Sequence, residues 1–193
     1  MLIYLVRHGQ TTGDVEDRYG GDYDDELTGL GKQQSDEVGE KLASAIIEII
    51  YASPKKRAQQ TAKIIKDVIP VALVTLQDFR ERNRYGIVTG LTKTEAAEKY
   101  PDQIELLADE HSTFEGGEDY ASFGQRITET LKKIDTGKYQ TVAVVTHGGP
   151  IRYIFREILK EGEIEIGDCA YAKIEVKNSA YILHDLDGIT IKP

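Results

Sequence analysis

Cysteine is almost missing from this chain: Cys169 is the only one in 193 residues. A single thiol excludes an intrachain disulfide and a cysteine-rich metal site, which makes a reducing, cytoplasmic setting the simplest expectation. Histidine is scarce too, with four in the chain, and nothing has metal-ligand spacing, so neither a metal nor another cofactor is expected. Long apolar runs are absent. The longest, Ala43 to Tyr51, is broken by Ser44 and Glu48 and is far too short to span a bilayer. The opening strand-like run meets Arg7 and His8 at once, with no small-residue cleavage site, so no signal peptide is expected. Positive charge is in deficit, 24 basic against 33 acidic residues for a formal charge of -9. That balance argues against nucleic acid and anionic membranes as partners, yet a few converging arginines would still suit a small anion. Internal repeats, low-complexity stretches and Pro/Gly/Ser-rich linkers are lacking as well, so residues 1–193 read as one domain.

What is present is an alternation. Strand-like runs rich in Val, Ile and Tyr cover 2–6, 46–52, 71–76, 141–146, 171–177 and 179–185. Helical stripes lie between them. Leu30, Gln34, Val38, Leu42 and Ala45 follow Thr28 as N-cap, and Ala58, Ala62, Ile65 and Ile69 follow Ser53 as N-cap with Pro54 at the first helical position. Tyr120, Phe123, Ile127, Leu131 and Ile134 make a third stripe, and Ile151, Ile154, Phe155 and Ile158 a fourth. The pattern predicts an α/β fold, a three-layer α/β/α sandwich with a mostly parallel central sheet and an antiparallel hairpin at its edge. Two stretches lack periodicity, about 9–27 and, apart from a short helix near 93–99, about 80–117. Long loops of this kind are expected to form a substrate lid.

Three loops place a cation or an imidazole where a strand ends. In Arg7-His8-Gly9 a neutral imidazole is a good nucleophile toward phosphorus, and a neighbouring guanidinium can grip two phosphoryl oxygens while lowering the ring's pKa. In Ser53-Pro54-Lys55-Lys56-Arg57 the arginine occupies the first turn of a helix, where the dipole disfavours a cation unless an anion joins it. In Thr146-His147-Gly148-Gly149-Pro150-Ile151-Arg152 the strand, histidine, glycine theme returns, and His147 with the Gly148 amide can donate to a phosphoryl oxygen. In open α/β sheets such loops gather on one edge, which makes them candidates for one phosphate pocket. Each loop alone has a plainer reading, as a hydrogen-bonded strand-end histidine or a solvated basic turn. Arg80, Arg82 and Arg84 could receive a second acidic group, although alternating charges in a loop are more often solvated. His111 and His184 read as exposed or structural.

The ordered set of these motifs resembles the histidine phosphatase superfamily, the phosphoglycerate mutase-like enzymes. The matching residues are Arg7-His8-Gly9 with Thr11, Leu27-Thr28 with Gly31 and Gln34, Ser53-Pro54 through Arg57-Ala58 to Gln60-Thr61-Ala62, Gly116-Gly117-Glu118, and His147-Gly148-Gly149. The resemblance implies that His8 becomes phosphorylated, that Arg7, Arg57 and His147 complete the phosphate pocket with Thr11, Asp14 and Gly148 around it, and that Glu81 is the proton donor. It also implies a metal-independent phosphoric monoester hydrolase acting on a small phosphorylated metabolite. The chain departs from the family pattern at Asp14, where Asn is usual, and in one extra residue between Glu81 and Gly86, which brings Glu115 and Glu118 into consideration beside Glu81. It also carries Thr89-Gly90 in place of Glu-Gly. A phosphoglycerate mutase would use the same core for transfer, but residues 87–115 are short for the insertion that shields such a site, which favours hydrolysis. A non-catalytic phosphate-binding module is the third option. Oligomeric state is left open, with a homodimer as one option.

Overall fold

The computed structural model describes residues 1–135 and 138–192. Six strands, β1 (Leu2–Arg7), β2 (Ile49–Ala52), β3 (Ala72–Thr75), β4 (Thr141–Thr146), β5 (Ile164–Lys177) and β6 (Ala180–Ile191), form one sheet in the order β3-β2-β4-β1-β5-β6. The first four are mutually parallel, β1 running beside β4 and β4 beside β2 in continuous register. The run Ile3, Leu5, Val142 and Val144 is buried on one face and Tyr4, Val6, Ala143 and Val145 on the other, as expected of central strands covered on both sides. β5 pairs antiparallel with β1 and with β6, giving the hairpin at the edge.

The hairpin is longer than its sequence pattern predicted. Gly167 and Asp168 interrupt the apolar alternation, and the chain bulges between Ile166 and Tyr171, where Cys169 takes a positive φ of 52°. At the bulge the Cys169 amide donates to the His8 carbonyl at 3.2 Å, so the irregularity supports the end of β1. β2 is shorter than predicted because Ile46 adopts a left-handed conformation, φ 52°, and delays strand entry until Ile49.

The helices are α1 (Thr12–Val15), α2 (Gly29–Leu42), α3 (Lys56–Val68), α4 (Lys93–Lys99), α5 (Pro101–Ile104), α6 (Tyr120–Asp135) and α7 (Gly148–Tyr153), the last continuing as a π-helical turn over Ile154–Leu159. α2 and α3 pack on one face of the sheet through Val38, Leu42, Ala58, Ala62 and Ile65. α6 and α7 cover the other through Phe123, Ile127, Leu131, Ile151 and Phe155. Burying each of the larger side chains stabilises the fold by about 1.5–3 kcal/mol.

Two helix readings need correction. Leu30 is half-exposed, and α2 instead buries Gly31, Ser35, Val38, Gly39 and Leu42. Small residues are required because a Cβ on Gly31 would overlap the Gln10 carbonyl and one on Gly9 would overlap the Gly31 carbonyl. The loop after β1 therefore lies directly on the helix backbone. Thr28 does cap α2, accepting from the Gly31 amide at 3.0 Å. Ser53, by contrast, does not cap α3, whose N-cap is Lys55 without a side-chain bond. The Ser53 hydroxyl is committed elsewhere, as described below. No helix among the described residues is long and apolar enough to cross a membrane.

Candidate active site

The parallel strands β1, β4 and β2 end on one edge of the sheet, and that edge carries a cleft of about 310 Å³. His8, at the end of β1, is only 5 % exposed, and His147, at the end of β4, is fully buried. Their rings meet edge to face with centroids 5.1 Å apart. Arg57, from the first turn of α3, reaches between them: its Nε donates to His8 Nε2 at 3.1 Å and to His147 Nδ1 at 3.2 Å.

These contacts assign the protons. Arginine only donates, so the two ring nitrogens it meets must carry lone pairs. His8 Nδ1 faces the Gly9 carbonyl at 2.8 Å and therefore holds the ring's proton. His147 Nε2 lies 2.7 Å from the Ser53 hydroxyl and holds the proton of the second ring. Both rings are neutral, and both have pKa values well below the usual histidine value. For His8 burial is the main cause, followed by the charges of Arg57 and Arg7, with the Gly9 hydrogen bond opposing. For His147 burial again leads, then Arg57 and the neighbouring His8.

Arg57 is itself 3 % exposed and is neutralised by Asp25, 2.7 Å away and also buried. Its Nη1 also donates to the Tyr23 carbonyl at 2.6 Å and its Nη2 to the Gly21 carbonyl at 3.2 Å. The aperiodic stretch 9–27 thus wraps the guanidinium. Arg7 lines the cleft as well, but its head binds the Ile166 carbonyl at 2.8 Å and Asp168 at 3.2 Å. Burial holds the Asp168 carboxyl above the usual range, Arg7 opposing and Asp14 adding to the shift.

Asp14 and Thr11 also line the cleft and are locked together. The Thr11 amide and hydroxyl donate to Asp14 Oδ2 at 2.8 and 2.7 Å, and the Asp14 amide donates back to Thr11 Oγ1. This capping box on α1 gives the carboxylate a structural partner, which answers how a negative charge is tolerated beside an anion pocket.

Glu81 enters from the segment after β3. Its Oε2 accepts from the Gly149 amide at 3.0 Å and its Oε1 from the Arg82 amide at 2.7 Å, which places the carboxyl in the cleft beside the His147 loop. A Cβ at residue 149 would overlap Glu81 Oε1, so the second glycine of the pair exists to admit this side chain. The extra residue before Gly86 leaves Glu81 where the sequence put it, because the segment is anchored upstream. Phe79 is fully buried, its carbonyl accepts from Thr146 Oγ1 at 2.8 Å, and Arg126 holds the carbonyls of Asp78, Arg80 and Glu81. Glu118 is bound by Arg126 through both oxygens at 2.6 Å, and Glu115 is exposed outside the cleft. Of the three glutamates considered, Glu81 is the one that lines the cleft with His8.

The structure brings together His8, Arg57, Arg7, Glu81, Thr11, Asp14 and Gly148 around one cleft, with His147 buried behind it against Arg57 and the His8 ring. Ser53, Asp25, Asp168, Arg126 and Arg152 take part without having been read as site residues. Ser53 sat inside a quoted motif, but its cap reading hid the contact with His147. Asp25 lay in a stretch without periodicity, and Asp168 fell between predicted elements. Arg80 pairs with Asp78 and Glu118, while Arg82 and Arg84 hold loop carbonyls. His111 is exposed with its ring against Tyr120, and His184 bonds Glu175 across the hairpin at 2.8 Å. Among the described residues no group of three or more His, Cys, Asp or Glu could hold a metal ion.

Comparison with known proteins places this geometry in a family. The chain belongs to the histidine phosphatase superfamily, branch 1, whose family model matches residues 3–186. It is 33% identical over 162 residues to a metal-independent phosphoserine phosphatase of Arabidopsis thaliana, covering 81% of this chain and 68% of that protein. It is 35% identical over 159 residues to phosphoglycerate mutase-like protein 4 of the same plant, covering 79% and 69%. In fold it is similar to the α-ribazole phosphatase of Shigella flexneri, with a TM-score of 0.85 at 20% identity over 96% of each chain.

Proposed function

We propose that this chain hydrolyses small phosphomonoesters through a phosphohistidine formed on His8. The observation that carries the reading is the pinned tautomer of His8. With Nδ1–H held by the Gly9 carbonyl, the lone pair sits on Nε2 and points into a cleft beside Arg57, His147 and Glu81. An entering phosphoryl group would take over the Arg57 Nε–H that the two rings share. Nε2 then attacks phosphorus and the bond to the ester oxygen breaks. Glu81, in its protonated form, gives its proton to the leaving oxygen and afterwards takes one from the water that cleaves the N–P bond, releasing phosphate and restoring His8. The guanidinium groups carry the charge that develops on the phosphoryl oxygens, and His147 joins them once its proton moves from Nε2 to Nδ1, the Ser53 hydroxyl then donating to Nε2. No step in this sequence calls on a metal.

The test uses p-nitrophenyl phosphate with the intact chain. Inorganic phosphate should be released, acid-quenched enzyme should carry acid-labile phosphate, and His8→Ala should lower turnover by roughly 10,000-fold or more. Full activity in that variant sinks the reading, and stable phosphate binding without turnover would favour a binding module. Glu81→Gln should cost about 100- to 10,000-fold with alkyl phosphates and much less with p-nitrophenyl phosphate, whose leaving group needs no proton. A uniform loss would remove Glu81 from the acid role. Transfer between positions of phosphoglycerate in place of hydrolysis would assign the site to a mutase.

A further inference from the structure

The segment that carries Glu81 has no strand ladder to hold it. β3 ends at Thr75, a single turn over Gln77–Phe79 follows, and residues 80–83 belong to neither helix nor strand. A carboxyl on such a segment keeps a fixed place only if other groups fix the backbone beneath it. Here four successive carbonyls are held by side chains. Thr146 Oγ1 donates to the Phe79 carbonyl at 2.8 Å, and Arg126 donates to those of Asp78, Arg80 and Glu81 at 2.7, 2.9 and 3.1 Å.

Arg126 commits its whole guanidinium to this task. The group has five N–H donors. Nη1 serves the Asp78 and Arg80 carbonyls, Nη2 serves the Glu81 carbonyl and Glu118 Oε2 at 2.6 Å, and Nε serves Glu118 Oε1 at 2.6 Å. Five donors therefore meet five acceptors. The residue is buried within α6, its guanidinium carbon 4.9 Å from the centroid of the Phe123 ring. Glu118, just before α6, ties the other side of Glu81: its carbonyl accepts from Arg82 Nε at 3.1 Å and its amide donates to the Asn83 carbonyl at 2.7 Å. The carboxyl end of Glu81 is held too, by the Gly149 and Arg82 amides. A buried ion pair adds little net stability, because desolvation offsets the attraction. What this one specifies is the place of Glu81.

We propose that Arg126, oriented by Glu118, is the positioning residue for Glu81: without touching substrate, it sets where the proton donor stands and so how fast the leaving oxygen is protonated. The inference deepens the phosphatase reading and rests on it. Neither Arg126 nor Glu118 is among the residues that line the cleft, so both act through Glu81 alone. A proton donor must come within hydrogen-bond reach of the ester oxygen, and a displacement of about 1 Å takes it out of that reach. Attack by His8 does not depend on the same carbonyls, since its ring is fixed by Gly9 and Arg57.

Leaving-group dependence separates this role from a merely structural one. In Arg126→Ala, kcat on an alkyl phosphate such as glycerol 3-phosphate should fall by about 10- to 100-fold, while p-nitrophenyl phosphate, whose leaving group needs no proton, should lose much less. In a Glu81→Gln background the same substitution should add almost nothing, because the group it positions is already gone. An equal loss on both substrates, a full additional loss in the double variant, or unchanged kinetics overturns the proposal. Should Arg126→Ala not fold, Arg126→Lys and Glu118→Gln are read by the same outcomes, since an ammonium has three donors and no planar fork with which to hold these acceptors. A uniform loss in Glu81→Gln itself removes the acid and its positioning residue together, while hydrolysis through His8 stands. If p-nitrophenyl phosphate is not turned over, the phosphatase reading fails by itself, and the amide proton of Gly149, which Glu81 accepts, decides the placement. Its NMR resonance should move in the Arg126 variant toward its position in Glu81→Ala, and an unmoved resonance overturns the positioning role.

Discussion

Two loops of this molecule have nearly the same sequence and put it to different uses. Arg7-His8-Gly9 closes β1, and Thr146-His147-Gly148-Gly149 closes β4, its parallel neighbour. In the first, the ring's Nδ1–H is held by a carbonyl of its own loop, which leaves the outer nitrogen, Nε2, with its lone pair. In the second, Nδ1 accepts from Arg57 and Nε2 donates to Ser53, the opposite tautomer. The glycines differ as well. Gly9 is small so that the loop can lie on the backbone of α2, whereas Gly149 is small so that Glu81 can approach. The partner around a histidine, and not the motif containing it, decides which ring nitrogen carries the lone pair and which the proton.

The comparison breaks most visibly at the rings. If His8 bonds to phosphorus while His147 supports the oxygens, His147→Gln should reduce kcat by about 100- to 1,000-fold yet still build up acid-labile phosphate on the enzyme. Quenched-flow measurement with labelled substrate checks both halves. Phosphate bound to His147, or complete absence of phosphoenzyme in His147→Gln, would show the two rings to be equivalent or reversed.

Much of this arrangement was legible in the residues. The alternation of apolar strands and helical stripes gave the layers and the parallel order, since buried central strands and covering helices each leave a strong periodic mark. His8, His147 and Arg57 stood out because a cation or imidazole beside glycine at a strand end is locally unusual. The missing parts depend on contacts between distant segments. Asp25 has no local pattern and matters only because α3 carries Arg57 to it. Ser53 looked like a helix cap until β4 brought His147 within 2.7 Å of its hydroxyl. Arg152 belonged to the His147 motif, but its place on the wall of the cleft is a property of three-dimensional surroundings. The hairpin was underestimated because a bulge with Cys169 at positive φ interrupts the alternation that marks a strand.

A smaller effect sharpens the same comparison through stability. Both rings have folded-state pKa values well below the usual histidine value of about 6.5, so the native chain keeps them neutral where unfolded histidines take up protons. As pH falls through about 6.5 the unfolded state binds more protons than the native state, and stability must decline with acidification, by up to about 1.4 kcal/mol per pH unit for each ring. The decline ends once pH drops below the folded values and the native rings also protonate. The carboxylates held low by hydrogen bonds, Glu95, Asp119, Glu163 and Glu175, act in a separate window at or below the ordinary carboxylate range of about 4. Urea unfolding between pH 5 and 7.5 therefore isolates the histidines. His8→Asn and His147→Asn should each flatten the slope, and by similar amounts, because burial leads the shift in both rings despite their opposite tautomers. A flat profile in the unmodified chain would mean that the folded rings titrate as unfolded histidines do, and stability that instead rose on acidification would mean that they are charged when folded, which would remove the lone pair from His8 and with it the nucleophile.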